Sequence, residues 1–373
     1  MSRILFVSVL LSSALLSACQ SESGPLAPRG ALTEEAEIGK SLFFDTRLSN
    51  PAGQSCASCH SPQHGFAEPD QHLPVSQGAN PAHFGNRNAP STAYAAFSPA
   101  FYFAQEEGLY IGGQFVDGRA ATPEAQAIQP LLNPIEMNNA NAEAVVSKVR
   151  QADYAEQIRR HYGAQALDDI DRAMTIIGQA ITAYERSQEM VPFSSKYDLY
   201  LAGKLSLSTQ EMRGLKVFES ENKGNCAACH PNTAGKNGTA PLFTDFSYDN
   251  LGVPGNKANP FYMMPARYNP AASAYVDRGL GEVLNKRSED GKFKVPSLRN
   301  IALTAPYMHN GVFASLQEVV EFYNSRDTDK RWEEPEVAAN VNAEELGDLK
   351  LTEQEQADLL AFLQTLSDGY TGQ

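Results

Sequence analysis

Positive charge is scarce in this chain of 373 residues: 30 Lys and Arg face 44 Asp and Glu, for a formal net charge of −14. That balance, with no basic patch to offset it, argues against nucleic-acid binding and against adhesion to anionic lipid. Beyond the first residues no segment approaches the ~20 apolar residues needed to span a bilayer. No nucleophile motif lies in a context that would support hydrolysis. Tryptophan occurs once, at Trp332, and cysteine five times. The few cysteines are the most informative residues, because after Cys19 the other four fall in two copies of one motif.

The chain opens with Arg3, an apolar run over residues 4–16 broken only by serines, and then Leu16-Ser17-Ala18-Cys19. These are the parts of a secretory signal, and small residues directly before a cysteine resemble a bacterial lipobox. Residues 1–18 are therefore expected to be removed and Cys19 to be lipidated; the alternative is a plain signal peptide with an incidental cysteine. Residues 19–31, rich in Ser, Gly and Pro, read as a tether. The folded body is expected on the periplasmic side of a bacterial membrane, held there by lipid.

The two motifs are Cys56-Ala57-Ser58-Cys59-His60 and Cys226-Ala227-Ala228-Cys229-His230. Each matches the pattern for c-type haem attachment. Two thiols one helical turn apart can form thioethers with the two vinyl groups of a porphyrin, and the next imidazole is held beneath the iron. A thioredoxin-like pair, a zinc site and structural disulfides compete with this reading. A redox pair would not need a histidine after the second cysteine twice, and a zinc site would show a second ligand pair at short spacing. Two covalently bound haem c groups are expected, on His60 and His230.

The surroundings repeat as well: Gly39-Lys40-Ser41-Leu42-Phe43 precedes the first motif and Gly214-Leu215-Lys216-Val217-Phe218 the second, both in helical patterns. Helix starts are marked by capping boxes at Ser208–Glu211, Ser315–Glu318 and Thr352–Glu355. The last opens a terminal helix with Leu359, Leu360, Phe362, Leu363 and Leu366 as its apolar stripe. Stretches such as residues 241–270 show no sustained periodicity, which predicts long loops rather than sheets. The expected fold is mainly α, with two cytochrome c-like domains at residues 32–190 and 191–373, each around one haem.

Further segments carry a resemblance: Arg87-Asn88-Ala89-Pro90-Ser91, Phe115-Val116-Asp117-Gly118-Arg119-Ala120, Leu132-Asn133-Pro134-Ile135-Glu136-Met137, and Val295-Pro296-Ser297-Leu298-Arg299-Asn300 running into Thr304-Ala305-Pro306-Tyr307-Met308-His309-Asn310-Gly311. Over nearly all of the mature length the sequence resembles the bacterial di-haem cytochrome c peroxidase and MauG family. The resemblance implies that hydrogen peroxide reacts at the N-terminal haem and that the C-terminal haem relays electrons. It implies that Glu136 is the acid/base residue, with Gln126 and Pro130 in the same distal pocket. Read alone, Glu136 is an acidic loop residue of the kind that is most often solvated, and Gln126 and Pro130 are helix surface and loop geometry. The position that holds a methionine ligand in typical peroxidases is here Tyr323, as in the MauG pattern. Leu316, Val319, Val320 and Tyr323 share one helical face, although a buried hydrogen-bonded tyrosine is the commoner use of such a residue. A phenolate ligand would lower the haem potential. Met308, Met263 and Met264 are further soft ligands, with packing as their ordinary role. The resemblance also implies a calcium ion between the domains, held at Asn88, Thr304 and Pro306.

Two features depart from the family. Val116 occupies the place of an inter-haem tryptophan, which leaves direct tunnelling or another aromatic such as Tyr110 or Phe115 for electron exchange. The histidine that closes the peroxide site in typical members has only His72 and His83 as candidates, and neither aligns well. The leading expectation is thus a di-haem c-type peroxidase supplied with electrons by a small redox protein, a cytochrome c or a cupredoxin. The alternatives are MauG-like oxidation of a partner protein and a non-enzymatic di-haem electron carrier.

Overall fold

The computed structural model describes residues 30–235 and 238–372; Cys19, the signal and most of the tether lie outside the described residues. The helices are α1 (Glu34–Phe44), α2 (Cys56–Cys59), α3 (Pro123–Ala127), α4 (Gln129–Leu132), α5 (Ala142–Arg150), α6 (Ala155–Tyr162), α7 (Ile170–Glu185), α8 (Lys196–Leu201), α9 (Thr209–Glu219), α10 (Leu280–Leu284), α11 (Leu316–Ser325) and α12 (Glu353–Gln364). The strands are β1 (Tyr102–Ala104) with β2 (Leu109–Ile111), and β3 (Tyr248–Asp249) with β4 (Phe293–Lys294), each pair antiparallel. The chain is mainly α, but the expectation of loops without sheets needs correcting at these two places. Strands of two or three residues are too short to show an alternating pattern.

The three capping boxes form as read: Ser208, Ser315 and Thr352 each accept from the backbone N–H of the glutamate three residues on, which reaches back to the cap. Each box satisfies two backbone donors that a helix start leaves open. The repeated glycine has a packing reason. A Cβ on Gly39 would stand 1.8 Å from the carbonyl oxygen of Ala180 on α7, and one on Gly214 1.9 Å from that of Asp358 on α12. Both helices preceding a Cys-x-x-Cys-His motif therefore lie against a partner helix at backbone contact. Leu42 and Phe43 follow Gly39 into the first core, as Val217 and Phe218 follow Gly214 into the second.

The first core runs from Ile38 to Val191 and is centred on α1, α5 and α7. The second is built from α8, α9 and α12, with Phe218 and Phe362 fully buried; each such side chain contributes about 1.5–3 kcal/mol of burial. A third cluster, Val253, Tyr307, Phe313 and Phe322, packs α11 beside it, with Trp332 at its edge.

Candidate functional site: a cavity between two haem motifs

Between the cores lies a continuous internal cavity of about 500 Å³ whose wall includes Cys56, Cys59, His60, Cys226, Cys229 and His230. α2 is capped by Ser55, whose backbone N–H donates to the Ser58 hydroxyl at 3.0 Å, so the first motif is a single capped turn. The second motif is a 3₁₀ turn, Cys226–Ala228. Neither pair is a disulfide, and burial pushes all four thiols up to about 12. Among the described residues no three His, Cys, Asp or Glu side chains converge to hold an ion.

His60 Nδ1 lies 3.0 Å from the carbonyl oxygen of Pro90 and 3.3 Å from that of Phe66. His230 Nδ1 lies 2.8 Å from that of Phe243. A carbonyl only accepts, so each Nδ1 carries the proton and donates it, which leaves Nε2 as a lone-pair donor; this is the arrangement that orients a metal-ligating imidazole. Burial lowers the pKa of both rings and keeps them neutral. The hydroxyl of Thr92, buried on the cavity wall, has no hydrogen-bond partner among the described residues. Paired thiols, neutral imidazoles and an unpaired polar atom on an enclosed wall all fit a covalently bound macrocycle.

Glu136, Gln126 and Pro130 line the same cavity. Glu136 is presented by a loop whose Glu136 carbonyl accepts from Ala79 N–H at 2.8 Å; a Cβ on neighbouring Gly78 would stand 2.3 Å from Ile135 O, so only glycine allows this approach. Burial raises the Glu136 carboxyl, with Arg119 and Asn133 opposing the shift. Tyr323 also lines the cavity, on a face of α11 shared with Leu316, Val319 and Val320. Burial and the nearby Cys226 and Cys229 push its phenol up. Met308 is on the wall, whereas Met263 is 86% exposed and Met264 is buried elsewhere. Asn88, Thr304 and Pro306 all line the cavity; the Asn88 amide donates to Pro74 O at 3.2 Å and the Asn88 backbone N–H to His309 O at 2.8 Å.

His72 is exposed, and His83 is buried away from the cavity with Nδ1 2.9 Å from Pro134 O and its ring against Tyr268. Val116 and Phe115 line the cavity, but Tyr110 sits in the β1–β2 hairpin outside it. Sequence reasoning missed a charge cluster along the cavity wall, built around two buried aspartates, Asp117 and Asp277. Arg87 binds Asp277 through two bonds of 2.6 and 2.7 Å and also reaches Asp117, which in turn holds Arg119 at 2.8 Å. Burial alone would raise Asp277, but Arg87 outweighs it and holds the carboxyl at about 2. Lys294 is half-buried beside them, its amine lowered to about 8 by desolvation and donating to Gly113 O at 2.6 Å. Arg87, Asp117 and Arg119 stood in the quoted segments; Asp277 and Lys294 had no signal.

Two Cys-x-x-Cys-His turns facing one cavity, with a half-buried, desolvated carboxyl and a phenol on its wall, define a di-haem c-type oxidoreductase. The model of the di-haem cytochrome c peroxidase family matches residues 33–206. The chain is 38% identical to the methylamine utilization protein MauG of Paracoccus denitrificans, over 94% of this chain and 95% of that one. It is 31% identical to the cytochrome-c peroxidase IdrP1 of a Pseudomonas species, over 90% and 81%. In structure it is similar to the diheme peroxidase BthA of Burkholderia thailandensis, at TM-score 0.79 and 37% identity over 92% of this chain and 88% of that one. The chain belongs to the di-haem cytochrome c peroxidase family and carries two covalently bound c-type haems. The family is one of periplasmic c-type cytochromes, and no helix among the described residues is long and apolar enough to cross a membrane.

Proposed function

We propose that hydrogen peroxide is reduced at the haem held by Cys56, Cys59 and His60, with electrons relayed through the haem held by Cys226, Cys229 and His230 and ligated by Tyr323. The observation that carries this reading is Glu136, an interior carboxyl on the wall of the cavity that His60 faces. Bound haem supplies the iron that takes up peroxide and the one-electron steps that reduce it. The protein's part is proton handling. A carboxylate Oε of Glu136 accepts the proton of one peroxide oxygen and returns it to the other, which leaves as water. Burial raises the Glu136 carboxyl and so makes the carboxylate a stronger base for the peroxide proton. The Gln126 amide N–H would donate to the peroxide, and the Pro130 ring would close one side of the cavity. No histidine apart from His60, His230 and His309 lines the cavity among the described residues, which supports peroxide entry without prior reduction.

The two cores support two cytochrome c-like domains, residues 32–190 and 191–373. The amide and carbonyl oxygens of Asn88, Thr304 and Pro306 are hard donors that suit calcium. Cys19 is proposed as the lipid attachment point on the periplasmic side, and a small redox protein as the electron donor. Tyr323 on the cavity wall also favours a second reading, oxidation of a partner protein's side chains.

The test is titration of the fully oxidised holoprotein with hydrogen peroxide, followed by the spectra of both irons. Glu136→Gln should slow the reaction about 10²- to 10⁴-fold. A variant that reacts as fast as the parent would remove Glu136 from the mechanism.

A further inference from the structure

Large apolar side chains collect at the surface on the β1–β2 hairpin, where Tyr102 is 49%, Leu109 39% and Phe103 36% exposed. The hairpin is also the outer end of a row of rings. Phe103 stands opposite Tyr110 with ring centroids 4.8 Å apart; Tyr110 stacks on Phe101 at 5.5 Å with planes within 5°; Phe101 meets Tyr248 edge-on at 6.0 Å. Gly118 makes the last contact possible, since a Cβ there would stand 2.5 Å from Tyr248 Oη and 2.9 Å from the Phe101 ring. Tyr248 pairs in register with Lys294, whose N–H donates to Val116 O at 2.8 Å. Lys294 and Val116 are both on the wall between the two haem motifs. Four rings thus connect an exposed apolar knob to the cavity wall.

The knob has a charge character. Glu106 and Glu107 at the hairpin tip are exposed and make no ion pair among the described residues, and the whole chain is acidic at −14. An apolar patch tipped with unpaired carboxylates, on a protein of this charge, is complementary to a partner with an apolar contact face inside a basic rim.

We propose that the β1–β2 hairpin is the docking surface for a small basic redox protein, and that Tyr110, Phe101 and Tyr248 carry its electrons to the cavity. The proposal rests on the peroxidase reading, which supplies the oxidant. Each peroxide takes two electrons and two protons to yield two waters, so two donor molecules are oxidised by one electron each, in turn, while protons come from solvent. The rings differ in how they pass the electron. The Tyr248 hydroxyl donates to Gly112 O at 2.6 Å, and a carbonyl cannot take its proton, so Tyr248 and Phe101 mediate tunnelling without losing a proton. Tyr110, only half-buried, is the ring of the three nearest the surface and the first to meet the donor's electron.

The experiment uses the holoprotein with mitochondrial cytochrome c as the basic one-electron probe. Its docking arm measures, without peroxide, the affinity of the resting enzyme for the oxidised probe. Replacing Glu106→Lys and Glu107→Lys together, at exposed positions where the fold is safe, should weaken binding by about tenfold or more and flatten its salt dependence. The transfer arm adds one equivalent of peroxide, then reduced probe, in a stopped-flow mixer. Phe101→Leu, beneath the hairpin, should bind the probe as the parent does yet lose the fast phase of its oxidation, and Tyr110→Leu should lose that phase too. Unchanged affinity in the charge-reversal variant, or a fast phase that survives in both leucine variants, would overturn the proposal. A parent inert to peroxide would instead sink the peroxidase reading, and the docking arm would still decide the surface.

Discussion

Glu185, on the last turn of α7, is 6% exposed and faces the cavity near Cys56, and burial raises its carboxyl to about 8. Below the ordinary carboxylate range both folded and unfolded chains hold this proton, and it costs nothing. As pH rises toward 8 the unfolded chain releases the proton while the folded one retains it, so stability falls across that window. Glu185→Gln should therefore stabilise the holoprotein relative to the parent, by a margin that grows at most about 1.4 kcal/mol per pH unit from pH 4.5 to 8. Melting temperatures across that range test it, and a margin independent of pH would contradict it. Tyr323→Met should raise the potential of the C-terminal haem by on the order of 0.1 V, within the ~0.8 V that axial ligands span; a redox titration reads the shift. The contrast between Glu136 and Glu185 shows what a sequence reveals. Glu136 sat in a segment recognisable by its neighbours, whereas Glu185 follows a helical pattern in which nothing marks a carboxyl as buried.

At the scale of elements, the capping boxes and the glycine repeat were legible because both depend on residues within a turn or two of one another. The β1–β2 and β3–β4 pairs were not, since β3 and β4 join chain positions far apart and are held by neighbours such as Val116 and Ser247. The repeated glycines support a direct test. Alanine is favoured over glycine in a helix by about 1 kcal/mol, yet at Gly39 and Gly214 its Cβ would overlap a backbone carbonyl that has no rotamer to yield. Gly39→Ala and Gly214→Ala should each destabilise by about 1–3 kcal/mol net of that gain, measured by denaturant unfolding of the holoprotein. A neutral or stabilising result would mean the paired helices can slide apart freely.

Across the whole molecule, Arg87 ties the N-terminal half, through Asp117, to Asp277 in the C-terminal half. Arg87→Met would leave Asp277 buried without its cation, at a cost of about 3–5 kcal/mol. The absorption of the two haems, which should be lost together in the parent, should separate into two unfolding transitions in the variant; a single shifted transition would show that the tie adds stability but does not couple the halves. The proximal histidines bear on the halves in another way. Both rest on main-chain carbonyls, which draw on a ring N–H less than a carboxylate would, so neither ring is pushed toward an anionic imidazolate. As iron ligands, His60 and His230 would then donate nearly equally to the two irons. What would set the two halves apart is then Glu136 and Tyr323, and exchanging their surroundings, with His60 and His230 untouched, is the change that should invert which half meets the oxidant.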